Sequence, residues 1–196
     1  GEHGNKVVLE LLSDCTNAER PGFTPSEKKV GESFKNIFSN AEGKRIIVAT
    51  FSSNIHRIQQ IINQAAKCKR KVAICGRSML NAVSISSELG YLNLPEGILV
   101  DIESVKKYTP EQLVIITTGS QGEPMSTLHR MAFRDHRYVS ITPGDLIIIS
   151  ANPIPGNEKL VDKIVNELLK LGADVLYEKM YDVHVSGHAC EEEQKI

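Results

Sequence analysis

Asp145-Leu146-Ile147-Ile148-Ile149-Ser150 is a short apolar run, and polar residues follow it: Ala151-Asn152-Pro153-Ile154-Pro155-Gly156-Asn157. Leu160, Val161, Ile164, Val165, Leu168 and Leu169 then recur at helical spacing, Gly172 stands where a helix C′ residue belongs, and Asp174-Val175-Leu176-Tyr177 begins a second apolar run. Strand, polar loop, helix, glycine and strand make one βαβ unit. Such a unit implies parallel strands joined by a helix that lies on the sheet.

Working outward, the same rhythm fills the chain. Leu113-Val114-Ile115-Ile116-Thr117 is a strand, with a helix expected over 126–134. Arg45-Ile46-Ile47-Val48-Ala49-Thr50 precedes a helix striped by Ile55, Ile58, Ile61, Ile62 and Ala65. Lys71-Val72-Ala73-Ile74-Cys75 precedes a helix over 78–89, and Gly97-Ile98-Leu99-Val100 is a short strand. Near the start, Val7-Val8-Leu9-Glu10-Leu11-Leu12 reads as a strand. Thr24-Pro25-Ser26-Glu27 then reads as a capping box with Thr24 as N-cap, opening a helix that buries Val30, Phe34, Ile37 and Phe38. Alternating strands and helices with nearly continuous apolar strands give an α/β fold: a mainly parallel sheet with helices on both faces.

The 196 residues suit one domain, and no linker or composition shift divides them. A net charge of −1 argues against a protein that grips nucleic acid through a broad positive field, while leaving room for a local phosphate site. No apolar run approaches the ~20 residues of a membrane span. Cys15, Cys68, Cys75 and Cys190 form no CxxC pair and read as free thiols of a reducing, cytoplasmic setting. Lys67-Cys68-Lys69-Arg70-Lys71 reads first as a solvated helix end.

Polar residues collect after the strands. Ser13-Asp14-Cys15-Thr16-Asn17, Phe51-Ser52-Ser53-Asn54, Gly76-Arg77-Ser78, Thr118-Gly119-Ser120-Gln121-Gly122-Glu123-Pro124 and the stretch over 151–157 all fall at carboxyl ends of strands. Ligands of open parallel sheets bind along that edge. Hydroxyls, amides, glycine and helix N-termini suit phosphate oxygens, although any single loop of this kind also serves as a cap or turn. Neither GxxxxGK[ST] nor GxGxxG occurs. In His184-Val185-Ser186-Gly187-His188, His188 reads either as an acid/base or as a turn histidine. Asp14 can be an N-cap, a metal ligand or the partner that fixes a histidine tautomer, and Glu123 has the same options.

These segments, in this order, resemble ribonuclease J, a bacterial RNA-processing family in the β-CASP branch of the metallo-β-lactamase superfamily. The segments that carry the likeness are 13–22, Thr50-Phe51-Ser52-Ser53-Asn54-Ile55-His56-Arg57, 118–124, 150–158 and 184–188. The resemblance implies a Rossmann-like β-CASP domain over 1–196, with flanking pieces of the lactamase part at about 1–20 and 178–196. Asp14 matches the family's acidic motif A and His188 its motif B histidine, so the two are the implied catalytic dyad. The Asp would orient the His, which approaches the scissile phosphate and assists the leaving oxygen. Ser52, Ser53, Asn54, Gly119, Ser120, Glu123, Asn152, His184, Ser186 and Gly187 are the implied RNA- and phosphate-binding set, including a site for a 5′-monophosphate end of single-stranded RNA.

The family's HxHxDH zinc motif is absent from the 196 residues. The expectation is therefore an RNA-clamping domain that holds no metal and is inactive alone, within a parent that uses two zinc ions for exo- and endonucleolytic RNA processing and that self-associates. Two rivals rest on the same loops: a free-standing α/β domain that binds a nucleotide or phosphorylated metabolite without catalysis, and a structural interaction domain.

Overall fold

The computed structural model describes Glu10 and residues 12–177 and 183–196. Six strands form one sheet: β1 (Ile46–Ala49), β2 (Lys71–Cys75), β3 (Leu99–Val100), β4 (Leu113–Thr117), β5 (Leu146–Ile149) and β6 (Asp174–Tyr177). Their order is β3-β2-β4-β1-β5-β6, and every pairing is parallel. Val48 of β1 lies between Ile116 of β4 and Ile148 of β5. The expected strands thus appear within a residue or two of their sequence bounds. The strand read over 7–12 lies largely outside the described residues.

Because side chains alternate along a strand, the sheet feeds two separate cores. Ile46, Val48, Val72, Ile74, Ile116 and Ile148 pack under α1 (Glu27–Ser39), α2 (Ile55–Lys67) and α3 (Arg77–Glu88). Ile47, Ala73, Cys75, Ile115, Ile147 and Ile149 pack under α4 (Thr127–Ala132) and α5 (Glu158–Lys170). Burial of each such aliphatic side chain contributes about 1.5–3 kcal/mol, so both helical layers are held mainly by apolar contact with the sheet. Gly172 follows α5 at φ +82, as its C′ reading requires. Two short 3-10 turns, Ile102–Lys107 and Pro110–Gln112, and a final helix α6 (Glu191–Gln194) complete the described elements.

Three local readings change. The N-cap of α1 is Ser26, whose side chain accepts from the Lys28 amide, two residues beyond the expected Thr24. The reason is competition: the Thr24 hydroxyl lies 2.5 Å from Glu193 Oε2 and 3.0 Å from the His188 carbonyl, while the Glu27 carboxylate accepts from Arg57. Arg70 does not belong to a solvated helix end. It is buried and donates to the Ala41 and Lys44 carbonyls, both at 2.6 Å, tying the α1–β1 turn to the start of β2. The helix expected over 126–134 shortens to six residues, with Ser126 as its cap.

Candidate functional site

All six strands point their carboxyl ends the same way, so the loops that follow them share one edge. The fixed points of that edge are buried polar residues: Thr50, Thr117, Ser120, Gln121 and Ser150 are all nearly inaccessible.

Gln121 joins the loops after β4 and β5. Its Nε2 donates to the Asn152 carbonyl, and its Oε1 accepts from the Ile154 amide, both at 2.7 Å. The loop after β4 turns through two glycines that admit no Cβ. At Gly119 (φ +104) a Cβ would lie 2.5 Å from Ser126 Oγ, and at Gly122 (φ +73) it would lie 2.5 Å from the Leu160 backbone carbon. The crest therefore sits directly against the first turn of α5.

The loop after β1 ends in Asn54, whose side-chain oxygen accepts from the Arg57 amide at 3.0 Å and caps α2. Ser52 is half-buried and Ser53 exposed beside it. One helical turn further, the fully buried Arg57 spans three elements. Its Nη2 donates to both Glu27 oxygens at 2.9 and 3.1 Å; its Nη1 donates to Ser150 Oγ and, at 2.8 Å, to the Val183 carbonyl. Ser150 Oγ also donates to that carbonyl, at 2.5 Å. Val183 and Val185 enter the core under α1 and α2 and anchor the start of the strap over 183–190, and buried Cys190 anchors its end.

On this strap Ser186 and His188 meet residues 14–24. Asn17, itself buried, donates through Nδ2 to Ser186 Oγ at 2.8 Å and to the His188 carbonyl at 3.1 Å. Asn17 and Cys190 form a parallel bridge, and the Glu191 amide donates to the Arg20 carbonyl. His188 Nδ1 comes to 2.5 Å from Asp14 Oδ2. The other Asp14 oxygen accepts from the Thr16 hydroxyl (2.6 Å) and amide (3.0 Å). The Thr16 hydroxyl and then His188 hold the Asp14 carboxyl well below the usual carboxylate range. It is ionised at neutral pH and accepts the Nδ1 proton, which leaves Nε2 free to take or give a proton. Both side chains are about half exposed, so the pair faces solvent.

His184 is a different histidine. Burial, and then the Arg57 charge, push its ring down to about 4, so it is neutral at physiological pH. Its Nδ1 is buried without a hydrogen-bond partner, as is Asn152 Oδ1. Glu123 stays apart: its carboxylate is exposed, and only its backbone carbonyl bonds locally, to the Ser126 amide. Gly187 is exposed next to His188.

The sequence reading gave Thr24 and Glu27 only capping roles and gave Thr16, Asn17, Arg57 and Gln121 no individual role, yet these six hold this arrangement. Arg57 left one trace, a charge four residues from Ile61 on the apolar stripe of its helix. Among the described residues, no group of three or more His, Cys, Asp or Glu side chains is placed to hold a metal ion, and Asp14 and His188 are committed to each other. No helix among them is long and apolar enough to cross a membrane.

A family model described as the β-CASP domain of ribonuclease J matches residues 43–168. The chain is 49% identical over 194 residues to a protein of Helicobacter pylori named ribonuclease J. It is 50% identical over 193 residues to one of Thermus thermophilus with the same name, and 43% identical over 193 residues to ribonuclease J2 of Bacillus subtilis. These matches cover 98–99% of the chain but only 28–34% of the relatives' length, so the chain spans about a third of each.

Proposed function

Since this chain belongs to the ribonuclease J family, in which it carries the β-CASP domain, we propose that it forms the RNA-holding wall of a ribonuclease, with Asp14 and His188 at the reacting phosphate. The observation that carries this reading is the 2.5 Å contact between Asp14 Oδ2 and His188 Nδ1, on a strap whose Val183 carbonyl is tied to Ser150 at the end of β5. Asp14 accepts the Nδ1 proton and fixes the ring. Nε2, turned outward, stabilises a phosphate oxygen and can pass a proton to the leaving oxygen. Ser52, Ser53, Asn152 and Ser186, with the amides beside Gly119 and Gly187, supply neutral donors along the strand of phosphates, whereas Ser120 is nearly inaccessible and supports the loop instead. Asn54 supplies its amide N–H₂, because its carbonyl oxygen is occupied by the cap. His184, half-buried and neutral, adds no charge to this surface.

A chain with a net charge of −1 holds RNA through aimed donors, and a 5′-monophosphate end adds a second anion for the same donors to meet. A zinc ion held elsewhere in the whole enzyme would supply an activated water for attack on the phosphodiester. The described donor set does not fit such an ion, so the zinc ligands lie outside it, and the 196 residues alone bind RNA without cleaving it. The intact enzyme is cytoplasmic, acts in RNA processing by exo- and endonucleolytic cleavage, and self-associates through parts beyond this chain.

The test uses the full-length protein. His188→Ala should lower the rate of RNA cleavage by about 100-fold or more with zinc content unchanged. Zinc lost in step with activity would refute the assigned role. Tight binding of a mononucleotide by the 196-residue chain without affinity for single-stranded RNA would refute the RNA-holding role itself.

A further inference from the structure

Arg57 is a completely buried cation that holds the start of the strap carrying His188. A buried guanidinium persists only when its donors are answered, and here the answers come from three other parts of the chain. Glu27 at the start of α1 takes Nη2, while Ser150 at the end of β5 and the Val183 carbonyl take Nη1. Val183 opens the strap whose fifth following residue is His188. Glu27 follows Thr24 by three residues, and the Thr24 hydroxyl reaches the His188 carbonyl at 3.0 Å. Covalent chain and hydrogen bonds thus close a ring: Thr24, Glu27, Arg57, Val183, His188 and back to Thr24. Both segments of the dyad are attached to it, since residues 14–24 carry Asp14 and the strap carries His188. Arg57 Nε is buried without a partner, and so is Nδ1 of His184 on the strap.

We propose that Arg57 is a positioning residue for the Asp14–His188 pair: it fixes the strap's height over the sheet edge so that Nδ1 faces the carboxylate. The consequence for RNA rests on the function proposed above, but the effect on the pair does not. The readout is therefore taken without RNA. The neutral tautomer of His188 is set by whatever Nδ1 is bonded to, and the ring's Cδ2 carbon shift reports it, with His188→Ala identifying the signal among the six histidines.

In the 196-residue chain at pH 8, the Nδ1–H tautomer should dominate. Arg57→Met combined with Glu27→Gln, which leaves no unpaired carboxylate, should lower the ratio of Nδ1–H to Nε2–H at least about fivefold. Arg57→Lys, with one donor head in place of two, should fall between. Ile164→Ala, which opens the opposite core, should lower the melting temperature and leave the ratio alone. An unchanged ratio in the folded double variant would overturn the proposal, and so would an equal change in Ile164→Ala. If the double variant does not fold, Arg57→Lys decides alone: a lowered ratio supports the role and an unchanged one overturns it. Tight mononucleotide binding without affinity for single-stranded RNA, beside a tautomer that follows Arg57, would refute the proposed function while leaving the positioning role standing.

Discussion

Gly122 and Gly90 have nearly the same backbone conformation, φ +73 and +75, and opposite surroundings. A Cβ on Gly90 would meet nothing within 4 Å, whereas a Cβ on Gly122 would lie 2.5 Å from the Leu160 carbon, 2.6 Å from its oxygen and 2.7 Å from the Val161 nitrogen. Placing alanine in the left-handed region costs about 1 kcal/mol at either site. At Gly122 the obstacle is helical backbone, so the loop after β4 must lift from α5 by about 1 Å to reach ordinary contact. That movement strains the two 2.7 Å bonds of Gln121 to the loop after β5, each contributing about 1 kcal/mol. The total is about 3 kcal/mol for Gly122→Ala against about 1 for Gly90→Ala. In a chain of this size 1 kcal/mol moves the melting temperature by about 2–4 °C, so the two variants should melt roughly 4–8 °C apart. Differential scanning calorimetry of both, side by side, measures the gap. Melting temperatures within about 2 °C of each other would refute the close approach of crest and helix, because the shared left-handed cost cancels in the comparison.

Asn17→Ala removes the amide donor that Ser186 Oγ and the His188 carbonyl share and should cost about 1–2 kcal/mol in urea unfolding; a loss below about 0.5 would mean that Asn17 does not tie the strap. His184 is neutral in the fold down to about 4 but takes a proton near 6.5 once unfolded, so its contribution is flat above pH 6.5 and is lost as the pH falls from there toward 4. Discounted for the solvent that reaches the ring, the loss is about 1–2 kcal/mol. It should vanish in His184→Gln, and an identical pH profile for that variant would refute it. Burial pushes the Cys75 thiol up to about 11, so at pH 8 it is thiolate in only about one molecule per thousand. Exposed Cys15 should react with iodoacetamide at least about 100-fold faster, and comparable rates would contradict the packing around β2.

The sheet was legible because strand burial writes itself into composition: Ile46–Ala49, Leu113–Thr117 and Leu146–Ile149 are apolar on both faces, as parallel strands between two helical layers must be. The edge where the polar loops gather followed from direction alone. Asp14 and His188, 174 positions apart, could be paired only through family likeness, and the structure places them in contact. Local patterning could not say which capping residue wins when its hydroxyl has a distant suitor, and Thr24 is the example. Nor could it show that Arg57, one polar residue on an amphipathic helix, turns inward to meet a carbonyl 126 positions later. Such contacts depend on long-range geometry that no window of neighbouring residues contains.

The strand order has a consequence for how the molecule comes into being. β1 is formed early in the chain, yet its neighbours are β4 and β5, so Val48 must wait for Ile116 and Ile148 before either backbone edge is matched. The pairing is strongly non-local, which slows folding and leaves apolar strand edges open for longer. During synthesis the first half of the chain can form α1, α2 and the strand segments, but the middle of the sheet stays open until residue 149 has been made. The polar crest and its closing strap, built on the ends of β4 and β5, are therefore the last parts to take shape. A nascent chain stalled before that point would present at least one edge of β1 open, a sticky surface that the finished protein hides completely.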